Sequence, residues 1–207
     1  FHSSHWGDVL WVEGFTPGDF TDQMKYHEYT GDKDAYSVYA NQRYEVLDGL
    51  FLTADLHYQY KKYRFQQHQV GNFRGDKLNA YTEDWSFFNP KGAFTWQTPG
   101  RVVGGDLRVF GLVGVNHREP TDSELFNVWE SGSDLGVQPL FRRSRPVYGD
   151  NGELAFIEWS GAYMEPEEVV DYELGVAWRN DRLSFTLGGY VMDFRNEIVP
   201  YGGVNED

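Results

Sequence analysis

Histidines and acidic residues are the side chains with which this chain of 207 residues could do chemistry, because it contains no cysteine. That absence excludes disulfide bonds, cysteine-ligated zinc or iron–sulfur centres and a thiol nucleophile. The six histidines show neither H-x-x-x-H nor HExxH spacing, so only the fold could bring them together as metal ligands. We therefore expect no metal site and no cofactor.

Paired carboxylates keep a hydrolytic reaction under consideration. Asp171 and Glu173 share one face of a predicted strand, about 7 Å apart by strand rise. Glycoside hydrolysis needs two carboxylates at a set separation across a cleft. A polar wall that faces water explains the same pair without catalysis, and the chain has no Gly-x-Ser-x-Gly motif. We expect the chain not to be an enzyme.

The candidate binding residues lie in a long acidic segment. Between Glu119 and Glu173 the chain has 13 acidic residues and three basic ones, all arginines. Such a segment could simply be solvated, attract cationic or metal-bearing ligands, or bind divalent cations among lipopolysaccharide. The arginines could clamp an anionic ligand or lipid phosphate, or pair with neighbouring acids. Its aromatic residues could form a ligand platform or pack into a folded cap. The predicted ligand-binding residues are Trp129, Arg142, Arg143, Arg145 and Trp159.

Composition limits the classes of partner. Acidic residues outnumber basic ones 32 to 18, and the resulting net charge of -14 argues against a nucleic-acid partner. No apolar run approaches the length of a transmembrane helix, whereas the short alternating strands of a membrane barrel remain compatible with the sequence. The chain starts without Met or an apolar signal segment, and we expect it to be a piece of a longer protein.

Apolar and polar residues alternate with a period of two, which predicts strands. Residues 35–46 and 50–61, joined by a turn at 47–49, form a predicted β-hairpin with one apolar and one polar face. The polar face carries Arg43, Asp55, His57, Gln59 and Lys61. Further strands are predicted at residues 7–14, 24–30, 88–97, 107–116, 171–179 and 183–192. A helix-like stretch covers residues 123–130, with Thr121 or Asp122 as a candidate N-cap.

The connections between the predicted strands alternate in length. Those at 47–49, 99–105 and 180–181 are short, and those at 66–83 and 117–165 are long. A compact soluble sandwich gives no reason for this alternation, and a structureless loop as long as the last one counts against it. An antiparallel transmembrane β-barrel has short periplasmic turns, long extracellular loops and two aromatic girdles. The residues that fit such girdles are Tyr58, Tyr60, Trp96 and Trp178.

Four motifs follow one another along the chain. Phe88-Asn89-Pro90-Lys91-Gly92 precedes a segment made of Arg118, Glu119, Pro120 and Thr121, and residues 166–175 and 183–199 come later. In this order they resemble the β-barrel of TonB-dependent outer-membrane receptors. That family has an F-x-P-K strand, an R-E-P-[TN] segment at the outer end of the next strand, and a P-E-x-x-x-x-Y-E-L-G strand with its hairpin partner. The matches cover most of residues 5–200.

The resemblance implies a barrel of the 22-stranded type, with 1–207 as an internal part of it that supplies about seven or eight strands. The plug and the C-terminal strands would lie outside this chain, and 117–165 would be a long extracellular loop. Arg43, Asp55, His57, Gln59 and Lys61 would face the lumen, where they would line the conduit or hold the plug.

The same resemblance implies a place in the outer membrane of a Gram-negative bacterium, in contact with lipid and lipopolysaccharide. Extracellular loops and plug would capture a small-molecule or glycan ligand, and the TonB complex, acting through the plug, would drive its release. The imported nutrient would be a siderophore, cobalamin or a glycan.

Two other interpretations remain open from the sequence. A small complete outer-membrane barrel of about eight strands, acting as an adhesin or structural protein, would use 117–165 as its binding element. A soluble β-rich carbohydrate-binding or hydrolytic module would instead pack the apolar face of residues 50–60 on protein. The exposure of that face therefore separates the soluble module from both membrane barrels.

Overall fold

Residues 2–9, 24–71, 73–126 and 135–198 are described by the structure, which is a computed structural model. They form the all-β architecture that the alternation predicts. Among these residues, no helix has the length and apolar character needed to cross a membrane. The strands are β1 (His2–Val9), β2 (Met24–Leu47), β3 (Leu50–Gln67), β4 (Asn79–Gln97), β5 (Asp106–Arg118), β6 (Phe141–Tyr148), β7 (Leu154–Ala162), β8 (Glu167–Arg179) and β9 (Ser184–Arg195), with a 3₁₀ turn at Gly75–Lys77 and a short helix α1 at Asp122–Phe126.

Seven of the strands form one antiparallel sheet in the order β1-β2-β3-β4-β5-β8-β9. Strands β6 and β7, which come between β5 and β8 in the sequence, form a separate hairpin. Strand β7 also runs parallel to the start of β4 over three residue pairs. Within the described part of the chain, β1 and β9 are the two edges of the sheet. The predicted all-β antiparallel fold is thereby confirmed, and the open sheet is consistent with a part of a larger barrel.

The strands extend further toward the long connections than the alternation predicts. Residues 24–30 and 35–46 belong to the single strand β2, and the connection predicted at 66–83 is only the 11 residues between β3 and β4. The β2–β3 ladder continues to Tyr29 opposite Gln67. Ladder hydrogen bonds hold a strand together whatever its side chains are, so the strand continues where the two faces no longer differ in polarity.

Other predicted boundaries also change. The stretch predicted as the loop 117–165 contains α1 and the strands β6 and β7, so these parts of it are folded rather than structureless. The strand predicted at 7–14 overlaps β1, and residues 10–14 lie outside the described residues. The helix predicted at 123–130 corresponds to α1 as far as Phe126, and residues 127–130 lie outside the described residues as well.

The two faces of the sheet differ in chemistry, as β3 shows most clearly. Leu52, Leu56 and Tyr58 lie on one face with 46–48% of their surface exposed. Asp55 and His57 lie on the other, opposite Lys91 and Asn89 of β4. We call the side against which α1 packs the inner face and the opposite side the outer face. About half of the surface of Leu52, Leu56 and Tyr58 is thus exposed on the outer face, whereas a soluble module would bury this face on protein.

Short turns join the strands at one of their two ends, and we call this end of the sheet the turn end. Gly49 has a positive φ of 71°, and a Cβ there would lie 2.3 Å from the carbonyl oxygen of Gln97. This position therefore needs glycine. The Asn180 side-chain oxygen accepts hydrogen bonds from the backbone N–H groups of Arg182 and Leu183 at 2.9 and 2.8 Å. Both predicted turns thus have a local physical cause.

An aromatic core lies at the opposite end of the strands, which we call the loop end. Leu125 and Phe126 of α1 are completely buried there against the inner face. The rings of Phe65 and Tyr81 stack with centroids 4.8 Å apart, and Phe126 meets Phe65 edge-on at 5.7 Å. Phe141 at the start of β6 completes this loop-end core. The sheet, α1 and the β6–β7 hairpin therefore bury their apolar side chains together.

Candidate functional site

The segment of residues 118–126 leaves the end of β5 and lies against the inner face of β2, β3 and β4. Its first four residues are the predicted family motif, Arg118, Glu119, Pro120 and Thr121. Its last two enter the loop-end core. Glu119 and Asp122 contact side chains of β2 and β3, which are far away in the sequence. The segment therefore brings residues of distant strands together on the inner face.

Arg118 joins β5, α1 and β8. Its Nε donates to Glu167 at 2.6 Å, and its two terminal nitrogens donate to the Glu124 carboxylate at 3.1 and 3.0 Å. The contact with Glu124 is a bidentate guanidinium–carboxylate pair, a geometry that fixes direction as well as distance. Arg118 therefore fixes the angle at which the chain turns away from β5.

Glu119 bridges two strands of the inner face. Its carboxylate accepts from Lys33 Nζ of β2 at 2.6 Å and from Lys61 Nζ of β3 at 2.7 Å, and only 13% of its side chain is exposed. Burial acts to raise the pKa of this carboxyl, but the two lysine hydrogen bonds outweigh it and hold the pKa at about 2. Glu119 is therefore ionised at every physiological pH.

Thr121 begins the helix. The Glu124 carboxylate accepts from the Thr121 backbone N–H at 2.6 Å, and the Thr121 carbonyl accepts from the N–H groups of Glu124 and Leu125. This places Thr121 at the N-cap and Glu124 three residues later, the spacing of a capping box. Pro120, which has no N–H to satisfy, is buried between Glu119 and the helix. Of the two predicted N-caps, the structure has Thr121.

A cleft of about 440 Å³ lies between the segment and the sheet, and we call it the inner cleft. Tyr29, Tyr63 and Trp85 border it from β2, β3 and β4, and residues 119–123 border it from the segment. The Tyr63 hydroxyl donates to Asp122 at 2.8 Å. The cleft thus combines aromatic walls with hydroxyl and carboxylate groups whose positions are fixed by contacts to the sheet.

The five residues predicted to face the lumen share the inner face. Asp55 accepts a hydrogen bond from Asn41, His57 lies opposite Tyr39, and Gln59 lies opposite Ser37. Lys61 contacts Glu119 as described, and the Arg43 guanidinium lies 4.1 Å from the centre of the Phe51 ring. Only Lys61 therefore meets the 118–126 segment. That these residues face a lumen stays a prediction.

The predicted ligand-binding residues separate into different environments. Arg143, Arg145 and Trp159 border a cleft of about 430 Å³ beside β6 and β7, which we call the hairpin cleft. Arg145 pairs with Glu158 across the hairpin, and the Trp159 indole N–H donates to Asn79 at 2.8 Å. Arg142 lies 5.5 Å from the Tyr163 ring centre, and Trp129 lies outside the described residues. Ligand contact by any of them stays a prediction.

Several residues of the site carry no recognisable signal in the sequence. Lys33 and Tyr63 contact the 118–126 segment, and Trp85 borders the cleft beside it, only because the sheet brings them there. They lie 86, 56 and 34 positions before Glu119 along the chain. The alternation does place all three on one face with Lys61, and that parity is the signal that could have grouped them.

His117 is another unpredicted contact. Its ring nitrogens lie 2.7 Å from Asn89 Oδ1 and 3.1 Å from Glu168 Oε2, and the ring stacks on Phe87. The paired register of β4 and β5 ends at Lys91 opposite Gly114. His117 thus links β4 to β5 and β8 by side chains where that ladder has stopped.

The pair Asp171 and Glu173 lies in β8, opposite Gly114 and Leu112 of β5. Neither residue borders the inner cleft or the hairpin cleft. In the described part of the chain, no three His, Cys, Asp or Glu side chains are grouped so that they could hold a metal ion. Glu173 borders a third cleft of about 570 Å³ together with Leu112. That the chain is not an enzyme stays a prediction.

The family model described as TonB dependent receptor-like, beta-barrel matches residues 5–207. No curated protein and no solved structure gives a significant match.

Proposed function

Because this chain belongs to the TonB-dependent receptor-like β-barrel family of outer-membrane transporters, we propose that it is part of the barrel wall of a receptor that imports a scarce nutrient with energy from the TonB complex. The nutrient would be a siderophore, cobalamin or a glycan. In this proposal, residues 1–207 are one part of a larger barrel domain.

The observation that carries the proposal is the difference between the two faces of the sheet. Leu52, Leu56 and Tyr58 are exposed on the outer face, and Asp55 and His57 lie behind them on the inner face. In hydrocarbon every backbone polar group must be paired, and the continuous antiparallel ladder pairs them. Such a wall places apolar side chains in lipid and polar ones toward water.

The proposed partners follow from these two faces. The outer face would contact outer-membrane lipid and lipopolysaccharide, and the inner face would contact the plug through which TonB acts. Arg43, Asp55, His57, Gln59 and Lys61 would line the conduit or hold that plug. The net charge of -14 gives no support to a nucleic-acid partner.

The β6–β7 hairpin would lie at the extracellular mouth. Arg143 is exposed and, within the described residues, forms no ion pair, whereas Arg145 is engaged by Glu158. Arg142 is likewise exposed and, among the described side chains, forms no ion pair, although its guanidinium lies over the Tyr163 ring. We therefore propose Arg142 and Arg143 as the arginines of this hairpin that are available to an anionic ligand or lipid phosphate. The Trp159 indole N–H donates to Asn79 and so connects β7 of the hairpin to the start of β4.

The function is tested on the full-length protein expressed in a Gram-negative host. We expect it to fractionate with the outer membrane, to need detergent for extraction, and to take up labelled nutrient only while the proton-motive force is intact. Ferric siderophores, cobalamin and oligosaccharides are supplied in turn, with a protonophore as the control. A protein that stays soluble without detergent contradicts the proposal, as does uptake that the protonophore leaves unchanged.

A further inference from the structure

The inner cleft has the size and position of a ligand site. Its volume of about 440 Å³ falls within the range of roughly 300–1,000 Å³ that is usual for small-molecule sites. It lies on the inner face next to the loop-end core, so its walls are held by packed side chains. A site with such walls is formed before the ligand arrives, which reduces the entropy lost on binding.

Three aromatic side chains from three different strands border the cleft. Tyr29 packs on Phe65 with ring centroids 5.2 Å apart, and Tyr63 packs on Tyr81 at 6.1 Å. Trp85 lies opposite Lys61 in the β3–β4 ladder and borders the same cleft. Aromatic rings offer apolar surface to the flat, C–H-bearing faces of a ligand.

The charged side chains around the cleft balance one another. Lys33 and Lys61 hold the Glu119 carboxylate between them, and Asp122 is the fourth charge. These two positive and two negative groups sum to zero, with Lys61 reaching the cleft border through its ion pair with Glu119, although the whole chain carries -14. A strongly charged ligand therefore gains little here, because it would have to disturb ion pairs that already exist.

Polar groups without net charge complete the border. The hydroxyls of Thr121 and Ser123 lie 3.2 Å apart at the start of α1, and the Tyr63 hydroxyl lies across from them on Asp122. Hydroxyl groups both donate and accept hydrogen bonds. A ligand rich in hydroxyls can exchange its hydrogen bonds with water for hydrogen bonds with such a wall.

We propose that the inner cleft binds an uncharged polyhydroxylated ligand, a sugar ring or short run of sugar rings of an oligosaccharide, with Trp85 as the ring against which a sugar packs. The proposal rests on the proposed function and selects the glycan class among the nutrients named there. Tyr29 and Tyr63 would flank the sugar, and Thr121 and Ser123 would hydrogen-bond its hydroxyls.

The test is isothermal titration of the full-length receptor in detergent with neutral hexasaccharides of α-1,4-glucan, β-1,4-xylan and β-1,3-glucan. We expect at least one to bind, and Trp85→Ala to weaken its affinity by about 10-fold or more through loss of apolar contact. Trp96→Ala is the matched control, because Trp96 lies on the outer face with 41% of its surface exposed. Trp85→Phe keeps an aromatic ring and is expected to restore part of the affinity.

Each other outcome overturns the inference. If none of the three hexasaccharides binds, or if Trp85→Ala and Trp96→Ala weaken binding equally in folded, outer-membrane-inserted protein, the cleft is not the sugar site. If the receptor instead imports a ferric siderophore or cobalamin with energy, the inference fails and the proposed function stands. If the protein is not in the outer membrane, both fail.

Discussion

The turn end and the loop end of the same sheet are stabilised in different ways. At the turn end, backbone geometry and local hydrogen bonds dominate, as at Gly49 and Asn180. At the loop end, Phe126 and Tyr81 form a buried core and Glu119 connects strands distant in sequence. One end thus depends on ladder and turns, and the other on side-chain packing.

The difference shows where such a wall depends on buried protein contacts. In a bilayer, lipid covers the apolar face, so the strands need no protein core there. Beyond the bilayer, the same strands meet water and must bury apolar surface against protein to stay ordered. The 118–126 segment supplies that surface with Leu125 and Phe126. Substitutions at the two ends should therefore differ in size and in what they disorder.

The largest effect is expected from Phe126→Ala. The side chain is completely buried, and a Phe-to-Ala change at such a site costs roughly 3–5 kcal/mol through lost contacts and the cavity left behind. Hydrogen exchange should show loss of amide protection in residues 118–126 while β8 and β9 keep theirs. Phe185→Ala is the turn-end control, because Phe185 is 56% exposed. Equal losses for the two variants would contradict the comparison.

Glu119→Gln is expected to have the second largest effect. It removes the charge between Lys33 and Lys61 while keeping the shape of the side chain. Hydrogen bonds to charged groups contribute about 1.5–3 kcal/mol, so a loss near the lower end of that range in the free energy of unfolding is expected for this partly buried group. Urea unfolding at pH 7 measures it. No loss of stability would show that the segment is held by its apolar residues alone.

The same ion pairs predict a pH dependence. The folded-state pKa of Glu119 is about 2 and its ordinary value is 4.5. A carboxyl with a lowered pKa contributes stability that is fully present above 4.5 and is lost as the pH falls toward 2. The difference in unfolding free energy between the wild-type protein and Glu119→Gln should therefore shrink across that interval. A difference that stays constant from pH 5 to pH 2 would assign the effect to another cause.

The smallest effect is expected from Asp181→Asn at the turn end. Arg101 and Asp181 pair at 3.3 Å, but their side chains are 57% and 88% exposed. Exposed ion pairs contribute roughly 0–1 kcal/mol, because water and salt screen them. Unfolding at low and high salt should give nearly the same value for this variant and the wild-type protein. A loss as large as that of Glu119→Gln would remove the distinction between the two ends.

The sequence predicts the membrane-facing part of the fold well. In β3 the alternation of Leu52, Leu56 and Tyr58 with Asp55 and His57 reports directly which face is apolar and exposed. The turns at Gly49 and Asn180 are equally local, since one residue supplies the conformation or the hydrogen bonds. Fold class and family follow from such short-range signals.

The loop end is less predictable because its signals are long-range. In β2 around Lys33, both faces carry polar side chains, so the contrast that marks a strand disappears. The contact of Lys33 with Glu119 joins residues 86 positions apart, and no pattern in the neighbouring sequence predicts it. The β6–β7 hairpin was not predicted either, because Arg142, Arg143 and Arg145 give β6 a composition that is unusual for a strand.

The unequal strand lengths have a consequence for access. Strands β2, β3 and β4 have 24, 18 and 19 residues, whereas β5, β8 and β9 have 13, 13 and 12. At about 3.3 Å per residue, the longer strands exceed the shorter ones by roughly 15–40 Å. In the proposed orientation the described part of the wall therefore has a sloping rim, high beside β2 and low beside β9. The inner cleft is bordered by Tyr29, Tyr63 and Trp85 of the three long strands, so it lies at the high part of this rim.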